Sequence, residues 1–184
     1  AAEYVKNVKP VAVSEAAIKA AAERIQAPFA RSGGENSYSL HAELQEITHN
    51  LVGIIRTGSE LAEAITKIAE IRKRSANVSV AGSRLFNPGF HLAFDLDNML
   101  LVAESTAKSA ISREESRGGH TRDDFPQLDN KWRQINHIAS FNGSEVSVRK
   151  QALPAIPKEL FDLFDVHELE KYMTPEEITK GGAR

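Results

Sequence analysis

The chain has 184 residues, which fits one domain or one domain with a tail. A hydrophobic fraction of 41% can build a sizeable core, while a net charge of −2 provides no basic surface for nucleic acid. The absence of cysteine excludes disulfides, zinc knuckles, iron–sulfur ligands and a thiol nucleophile. No apolar run has membrane-spanning length, so we expect neither a transmembrane helix nor a signal peptide. Because the chain begins without methionine, we expect a processed product or a piece of a larger protein.

The first 75 residues predict three helices in succession. Ser14 is the predicted N-cap of an alanine-rich helix, and Pro28 together with the segment RSGGENS is predicted to end that helix. A second helix is predicted from near Ser39 to Gly58, because its apolar residues recur at the spacing of one buried stripe. Ser59 is the predicted cap of the next helix, whose apolar residues also share one face.

The longest predicted helix follows Pro88-Gly89 and has a near-heptad apolar seam. The seam residues are Leu92, Leu96, Met99, Ala103, Thr106 and Ala110. Leu100, Ala107 and Ile111 lie beside them. Together with the two preceding amphipathic helices and their short connectors, this helix predicts an antiparallel bundle of three helices.

The sequence pattern changes after Gly119. Two partly alternating segments flank Asn142-Gly143, a dipeptide that supplies two positive-φ positions for a tight hairpin turn. Short amphipathic pieces follow Pro157, and Thr174 is a predicted cap of the last turn. The predicted fold class is therefore mainly α: an antiparallel three-helix bundle followed by a small β-hairpin and short C-terminal helices.

Motifs that carry catalysis or bind cofactors are scarce. Glu46 and His49 form one Glu-x-x-His unit, which di-iron bundles need in two copies, and a surface pair is the favoured interpretation. No Gly-x-Ser-x-Gly elbow, glycine-rich dinucleotide loop or Walker loop occurs. We therefore predict no catalytic residue, no cofactor-binding residue and no metal ligand within this chain.

The most highly charged stretch is ESRGGHTRDDFP, residues 115–126, at the end of the long helix. In one interpretation, Arg117 and His120 contact the free carbonyl groups at the helix end. In the other, Arg117, His120 and Arg122 face another protein surface, since arginine suits interfaces. Asp123 and Asp124 are expected to pair with arginines of the same loop.

A longer segment around this stretch, NMLLVAESTAKSAISREESRGGHTRDDFPQLDNKWRQI, resembles the C-terminal region of the succinate dehydrogenase and fumarate reductase flavoprotein subunits. The family pattern is a long helix ending in Glu-Ser-Arg-Gly-(Ala/Gly)-His, then an Arg-Asp/Glu-Asp segment, then a tryptophan. The matching residues here are Glu115, Ser116, Arg117, Gly118, Gly119, His120, Arg122, Asp123, Asp124 and Trp132. The segments SLHAELQEITHNLVGIIRTGSELAEAI and FNPGFHLAFDLDNML are similar to the family's first bundle helix and to the entry to its long helix.

The resemblance implies a parent oxidoreductase that interconverts succinate and fumarate, with electrons passing through FAD to an iron–sulfur subunit. The flavin- and substrate-binding residues would lie before residue 1, so the fragment alone would be inactive and hold no cofactor. Residues 1–13 would be the end of the preceding FAD-binding domain, 14–118 the bundle, and 119–184 the loop, hairpin and tail.

The expected partners are the chain's own FAD-binding domain and the iron–sulfur subunit, with no nucleic acid and no direct membrane insertion. The expected location is the bacterial cytoplasm, with membrane association through the parent complex. Arg117, His120 and Arg122 would then be interface residues of a docking loop. Two alternatives remain open: the similar C-terminal domain of L-aspartate oxidase, and a free-standing helical protein-interaction module.

Overall fold

The computed structural model describes residues 2–9 and 11–181. The helices are α1 (Ala2–Asn7), α2 (Glu15–Ala30), α3 (Ser37–Leu51), α4 (Gly58–Ser75), α5 (Pro88–Ser112), α6 (Asn130–Arg133), α7 (Lys158–Phe161), α8 (Val166–Leu169) and α9 (Pro175–Thr179). Two short strands, β1 (Ile55–Arg56) and β2 (Thr121–Arg122), pair in parallel. The strands β3 (Ile135–Phe141) and β4 (Val146–Ala152) form an antiparallel hairpin. The mainly α fold class is confirmed.

Helices α3, α4 and α5 surround one hydrophobic core, as expected for the three-helix bundle. Helix α5 is rotated slightly from the predicted seam, because Leu100 and Ala107 are fully buried whereas Thr106 is exposed. Met99, Ala103 and Thr106 instead line an apolar groove of about 630 Å³ between α3 and α5. The core residues are Leu40, Leu44, Ile47, Leu61, Ala64, Ile68, Ile71, Val78, Leu96, Leu100, Ala107 and Ala110.

Helix α2 ends at Ala30, directly before the segment RSGGENS, as predicted. It continues past Pro28, because the Pro28 carbonyl accepts the Val80 N–H at 2.9 Å and the ring of Phe29 packs on that of Phe90 at 4.9 Å. These contacts hold the last turn of the helix together despite the N–H that proline lacks. Helix α3 ends at Leu51 rather than at Gly58, and Gly58 begins α4.

The N-cap of α4 is Thr57, and the prediction of Ser59 was wrong. The Thr57 hydroxyl accepts the Glu60 N–H at 3.3 Å, and the Glu60 carboxylate accepts the Thr57 N–H at 2.7 Å. This reciprocal capping box satisfies two backbone donors that a helix start otherwise leaves free. Ser59 lies inside the first turn, where its hydroxyl contacts that of Thr57 at 3.0 Å.

The hairpin connection spans residues 142–145 and is not the predicted two-residue turn. Only Gly143, with φ of 101°, has the left-handed conformation, whereas the side-chain oxygen of Asn142 accepts the N–H groups of Ser144 and Glu145 at 2.9 Å each. This Asx-type turn replaces the second positive-φ residue. The hairpin packs on α5, where Lys108 Nζ donates to the Val146 carbonyl at 2.7 Å.

The C-terminal tail is attached through Glu177, which caps α9 together with Thr174 as predicted. Arg133 Nη2 donates to both oxygens of the Glu177 carboxylate at 2.6 Å, and Gln134 Nε2 donates to one of them at 3.0 Å. The Arg133 bonds lower the pKa of Glu177 to about 2. The last turn is therefore fixed to the residues that precede β3.

The predicted domain boundary near residue 14 stays a prediction. Residues 11–14 form no helix or strand, and Ser14 accepts the Ala17 N–H at 3.2 Å as the predicted N-cap of α2. Residues 1, 10 and 182–184, which belong to the predicted first and last units, lie outside the described residues. Within the described part of the chain, every helix is too short or too polar to cross a bilayer.

Thr57→Ala should lower the free energy of unfolding by about 1 kcal/mol, because the capping box loses its hydroxyl acceptor. Ser59→Ala is the matched control and should change it by less than about 0.5 kcal/mol. Urea unfolding monitored by circular dichroism measures both variants. Equal losses for the two would contradict the assignment of Thr57 as the cap.

Candidate functional site

Residues 113–129, called the charged loop below, lie where α5 ends and α4 begins. Strand β2 of the loop pairs with β1, with Thr121 N–H donating to the Ile54 carbonyl and Asp123 N–H to the Arg56 carbonyl, each at 3.1 Å. The loop is thereby attached to the chain just before α4. Its charged side chains face one another at this end of the bundle.

Glu115 is the buried centre of the charged loop, with 0% of its surface exposed. Arg117 donates to both of its oxygens at 2.9 and 3.0 Å, Arg113 donates to one, and the Asp129 N–H donates to the other at 3.1 Å. Burial by itself raises the pKa of this carboxyl, but the hydrogen bonds from Arg117, Asp129 and Arg113 together lower it. Glu115 therefore stays ionised and holds both ends of the loop.

Arg122 and Asp124 connect the ends of two helices. Arg122 is 2% exposed, and its Nη1 donates to three carbonyl oxygens at the end of α5, those of Ala110, Ile111 and Arg113, at 3.1 to 3.2 Å. Its Nε and Nη2 donate to Asp124 at 2.7 and 2.8 Å. The same carboxylate accepts the Gly58 N–H at 2.9 Å. A cation thus meets the negative end of α5 and an anion the positive end of α4.

The position of Gly58 also shows how closely the loop approaches α4. A Cβ atom at residue 58 would lie 3.0 Å from both Arg122 Nη2 and Asp124 Oδ2. A larger side chain would therefore push the loop away from the helix start. Glycine at this position allows the backbone N–H to reach the Asp124 carboxylate.

His120 joins the charged loop to β1. Its Nδ1 lies 2.8 Å from Arg56 Nη2, and its Nε2 lies 3.1 Å from the Arg113 carbonyl. These partners fix the neutral tautomer that carries its proton on Nε2, because Arg56 can only donate. Burial lowers the pKa of His120, and the nearby positive charge of Arg56 adds to that shift.

The tip of the charged loop is a tight turn between Arg117 and His120, which exchange backbone hydrogen bonds at 2.7 and 3.0 Å. Gly118 has φ of 58°, a conformation that glycine adopts without strain. A Cβ atom added at Gly119 would meet nothing within 4 Å. The tip is therefore fixed in shape and open on its outer side.

The sequence interpretation of the loop is partly confirmed. Asp124 pairs with Arg122 as expected, whereas Asp123 is exposed and forms no ion pair among the residues that the structure describes. His120 contacts the carbonyl at the end of the long helix, but Arg117 instead binds Glu115. That Arg117, His120 and Arg122 form an interface stays a prediction.

Glu115 was named from sequence only as part of the family pattern, and Arg113 and Arg56 were not singled out. The alternation Arg-Glu-Glu-Ser-Arg over residues 113–117 was an available signal, because residues two apart on an extended segment face the same side. Arg56 gave no signal, since only the pairing of β1 with β2 brings it to the loop.

The described residues offer no metal-binding group, and that they hold no cofactor-binding residue stays a prediction. The start of α4 follows a short parallel strand, as in dinucleotide-binding units, but its first N–H group is already bound to Asp124. Residues 2–9 and 11–181 contain no group of three or more histidine, aspartate or glutamate side chains that could hold a metal. Glu46 and His49 are both exposed on α3.

Glu115→Gln should lower the free energy of unfolding by about 3 kcal/mol, because it leaves two half-buried arginines without their shared anion. Glu114→Gln is the matched control: Glu114 is exposed, so a change within about 0.5 kcal/mol is expected. Urea unfolding at neutral pH measures both. A loss for Glu115→Gln no larger than the control's would contradict its central role.

The low pKa of Asp124 predicts that the folded chain loses stability in acid. The Arg122 hydrogen bonds lower its pKa from 3.8 to about 2, so the folded chain binds fewer protons here than the unfolded chain. Its stabilisation is therefore complete above about pH 5 and disappears as the pH falls towards 2. The free energy of unfolding of Asp124→Asn, measured from about pH 5 to about pH 3, should vary less with pH than that of the unmodified chain. Asp123→Asn should leave the pH dependence unchanged, and equal slopes for both variants would contradict the assignment.

The sequence and fold match known proteins. Residues 41–170 match the family model described as "Fumarate reductase flavoprotein C-term". The fumarate reductase flavoprotein subunit of Helicobacter pylori is 33% identical over 152 residues, which are 81% of this chain and 20% of that subunit. The fumarate reductase flavoprotein subunit of Mycobacterium tuberculosis is 31% identical over 148 residues, 79% of this chain and 25% of that subunit.

Solved structures also match the fold of this chain. The Mycobacterium smegmatis Sdh1 complex in the apo form contains a chain with a TM-score of 0.86 and 44% identity, matched over 96% of this chain and 31% of that one. The adenylylsulfate reductase of Archaeoglobus fulgidus, at 15% identity and a TM-score of 0.69, shares the fold alone. The chain thus spans less than a third of the length of these relatives, and it belongs to the family of C-terminal domains of fumarate reductase and succinate dehydrogenase flavoprotein subunits.

Proposed function

We propose that this chain is the C-terminal helical part of a subunit that interconverts succinate and fumarate, with electrons passing through FAD to an iron–sulfur subunit. The family match and the names of the relatives support this proposal. FAD would supply hydride chemistry when bound in the flavin-binding part of the subunit. The residues of this chain would contribute structure and assembly and would not react with the substrate.

The charged loop is the surface that we propose for docking onto the flavin-binding part of the same subunit. The observation that carries this proposal is the turn from Arg117 to His120, whose shape is fixed by backbone bonds and by Glu115 beneath it. A surface that is already ordered loses little conformational entropy on binding. Arg117 and His120 would contact the partner through their exposed edges, and Arg122 would hold the loop on the bundle.

The whole complex would be associated with a bacterial membrane on its cytoplasmic side, and this chain would not enter the lipid. The support is the family resemblance together with the absence of a helix suited to spanning among the residues that the structure describes. Membrane contact would therefore belong to other subunits.

Gly119→Trp in the full-length subunit tests the docking surface. The large side chain fits the isolated chain, because residue 119 is open to solvent, but it should obstruct a docked surface. We expect the purified subunit to retain severalfold less flavin, or to co-purify with severalfold less iron–sulfur subunit, than the unmodified protein. Visible absorption and densitometry measure these two quantities.

Gly119→Ala is the control at the same position and should retain normal flavin and normal assembly. Both substitutions should leave the melting temperature of the 184-residue chain unchanged. If Gly119→Trp also retains normal flavin and normal assembly, the proposal that the charged loop docks there is wrong.

A further inference from the structure

A second cleft, called the cationic cleft below, lies between α5, β1 and β3 and has a volume of about 600 Å³. Arg56, Arg113, His120 and His137 line it together with serine and threonine residues of α5. None of its lining residues is acidic. The charged side chains that line the cleft are therefore cationic.

Arg56 is the one arginine at this end of the bundle without an anionic partner in the described part of the chain. Its Nη1 donates to the Val52 carbonyl at 2.9 Å and its Nη2 to His120 Nδ1 at 2.8 Å, and both acceptors are neutral. Its buried Nε–H has no acceptor among residues 2–9 and 11–181. By contrast, Arg113 and Arg117 share Glu115, and Arg122 has Asp124.

The charge of Arg56 is energetically unfavourable in the free chain. Burial lowers the pKa of Arg56, and the positive charge of Arg122 lowers it further. A half-buried cation without a counter-charge costs free energy that a paired one does not. A structure that keeps such a charge beside a cleft is therefore suited to receive an anion there.

The two histidines of the cleft are neutral near pH 7. Burial lowers the pKa of His137, and the charges of Arg113 and Lys150 add to that shift, with a contribution from His120. The groups that lower the pKa of His120 after burial are Arg56, Arg113 and Arg122. A second proton on His120 would break its bond from Arg56, so an anion in the cleft would favour the protonation of His137.

We propose that the cationic cleft binds a carboxylate through Arg56, with His120 and His137 beside it. A single uncompensated charge suits a monoanion better than a phosphate dianion. Leu101, Val102 and Ala110 of α5 also line the cleft and give it an apolar surface. Val102 and Thr106 line the apolar groove between α3 and α5 as well, so the two spaces are adjacent. The ligand is therefore an organic carboxylate whose apolar body packs on these residues.

Butyrate is the probe, with butyramide as a neutral molecule of the same shape and inorganic phosphate as the competing anion. The ¹⁵N-labelled 184-residue chain is titrated at constant ionic strength, and the side-chain signals of Arg56, His120 and His137 are followed by NMR. Butyrate should shift these signals saturably with a dissociation constant on the order of 10 mM. Butyrate binding should tighten as the pH falls and His137 becomes protonated.

Arg56→Gln should weaken butyrate binding about tenfold, because it removes the charged donor. Arg84→Gln is the matched control. Arg84 is exposed, donates to Gln26 and lies outside the cleft, so its loss should leave the dissociation constant of butyrate unchanged. Ser109→Glu places a carboxylate in the cleft without altering Arg56, and this carboxylate should abolish butyrate binding. Ser109→Gln, which adds the same bulk without charge, should retain some binding.

Three results would overturn the proposal: equal shifts with butyramide, tighter binding of phosphate than of butyrate, or undiminished butyrate binding by Ser109→Glu. The Ser109 pair keeps the test valid even if Arg56→Gln does not fold. A last comparison identifies the source of the carboxylate and alone rests on the proposed function. If the full-length subunit fails to bind butyrate, a side chain of that subunit occupies the cleft, and if it binds as the chain does, the ligand is a free carboxylate.

Discussion

The buried carboxylate of Glu115 is the interaction on which the end of the bundle depends. It receives hydrogen bonds from a residue at the end of α5, from a residue in the turn and from the backbone where the loop leaves for the hairpin. A single anion thereby fixes three separate points of the charged loop. Burying it is favourable only because its hydrogen-bond partners are provided together, so the loop is expected to form or unfold as a unit.

Arg122 and Asp124 connect the charged loop to the end of α5 and the start of α4. The carbonyl groups at the end of α5 and the first N–H of α4 are satisfied by two side chains that also bind each other. Helices normally satisfy these groups with water or with local caps. Here one ion pair joins the two helix ends across the bundle, which explains why β1 and β2 need only two residues each to hold the loop in place.

Sequence alone predicted the regular parts of the molecule and missed contacts between distant segments. The apolar stripes of α3, α4 and α5, the cap at Ser14 and the cap at Thr174 follow from local patterns. The predicted two-residue hairpin turn was wrong because the side chain of Asn142 supplied hydrogen bonds that propensities do not represent. The pairing of Asp124 with Arg122 was local and predictable, whereas the approach of Arg56, 64 residues before His120, depended on the fold.

The attachment of the tail through Glu177 links two distant parts of the chain. The carboxylate that caps α9 also neutralises Arg133, which lies just before the hairpin. The buried Nε–H of Arg133 has no acceptor in the part of the chain that the structure describes. Protease cleavage between the hairpin and α9, followed by release of the peptide, would leave that guanidinium without its anion. Loss of the last dozen residues would therefore remove the anionic partner of Arg133, which lies just before β3 and more than forty positions earlier in the chain.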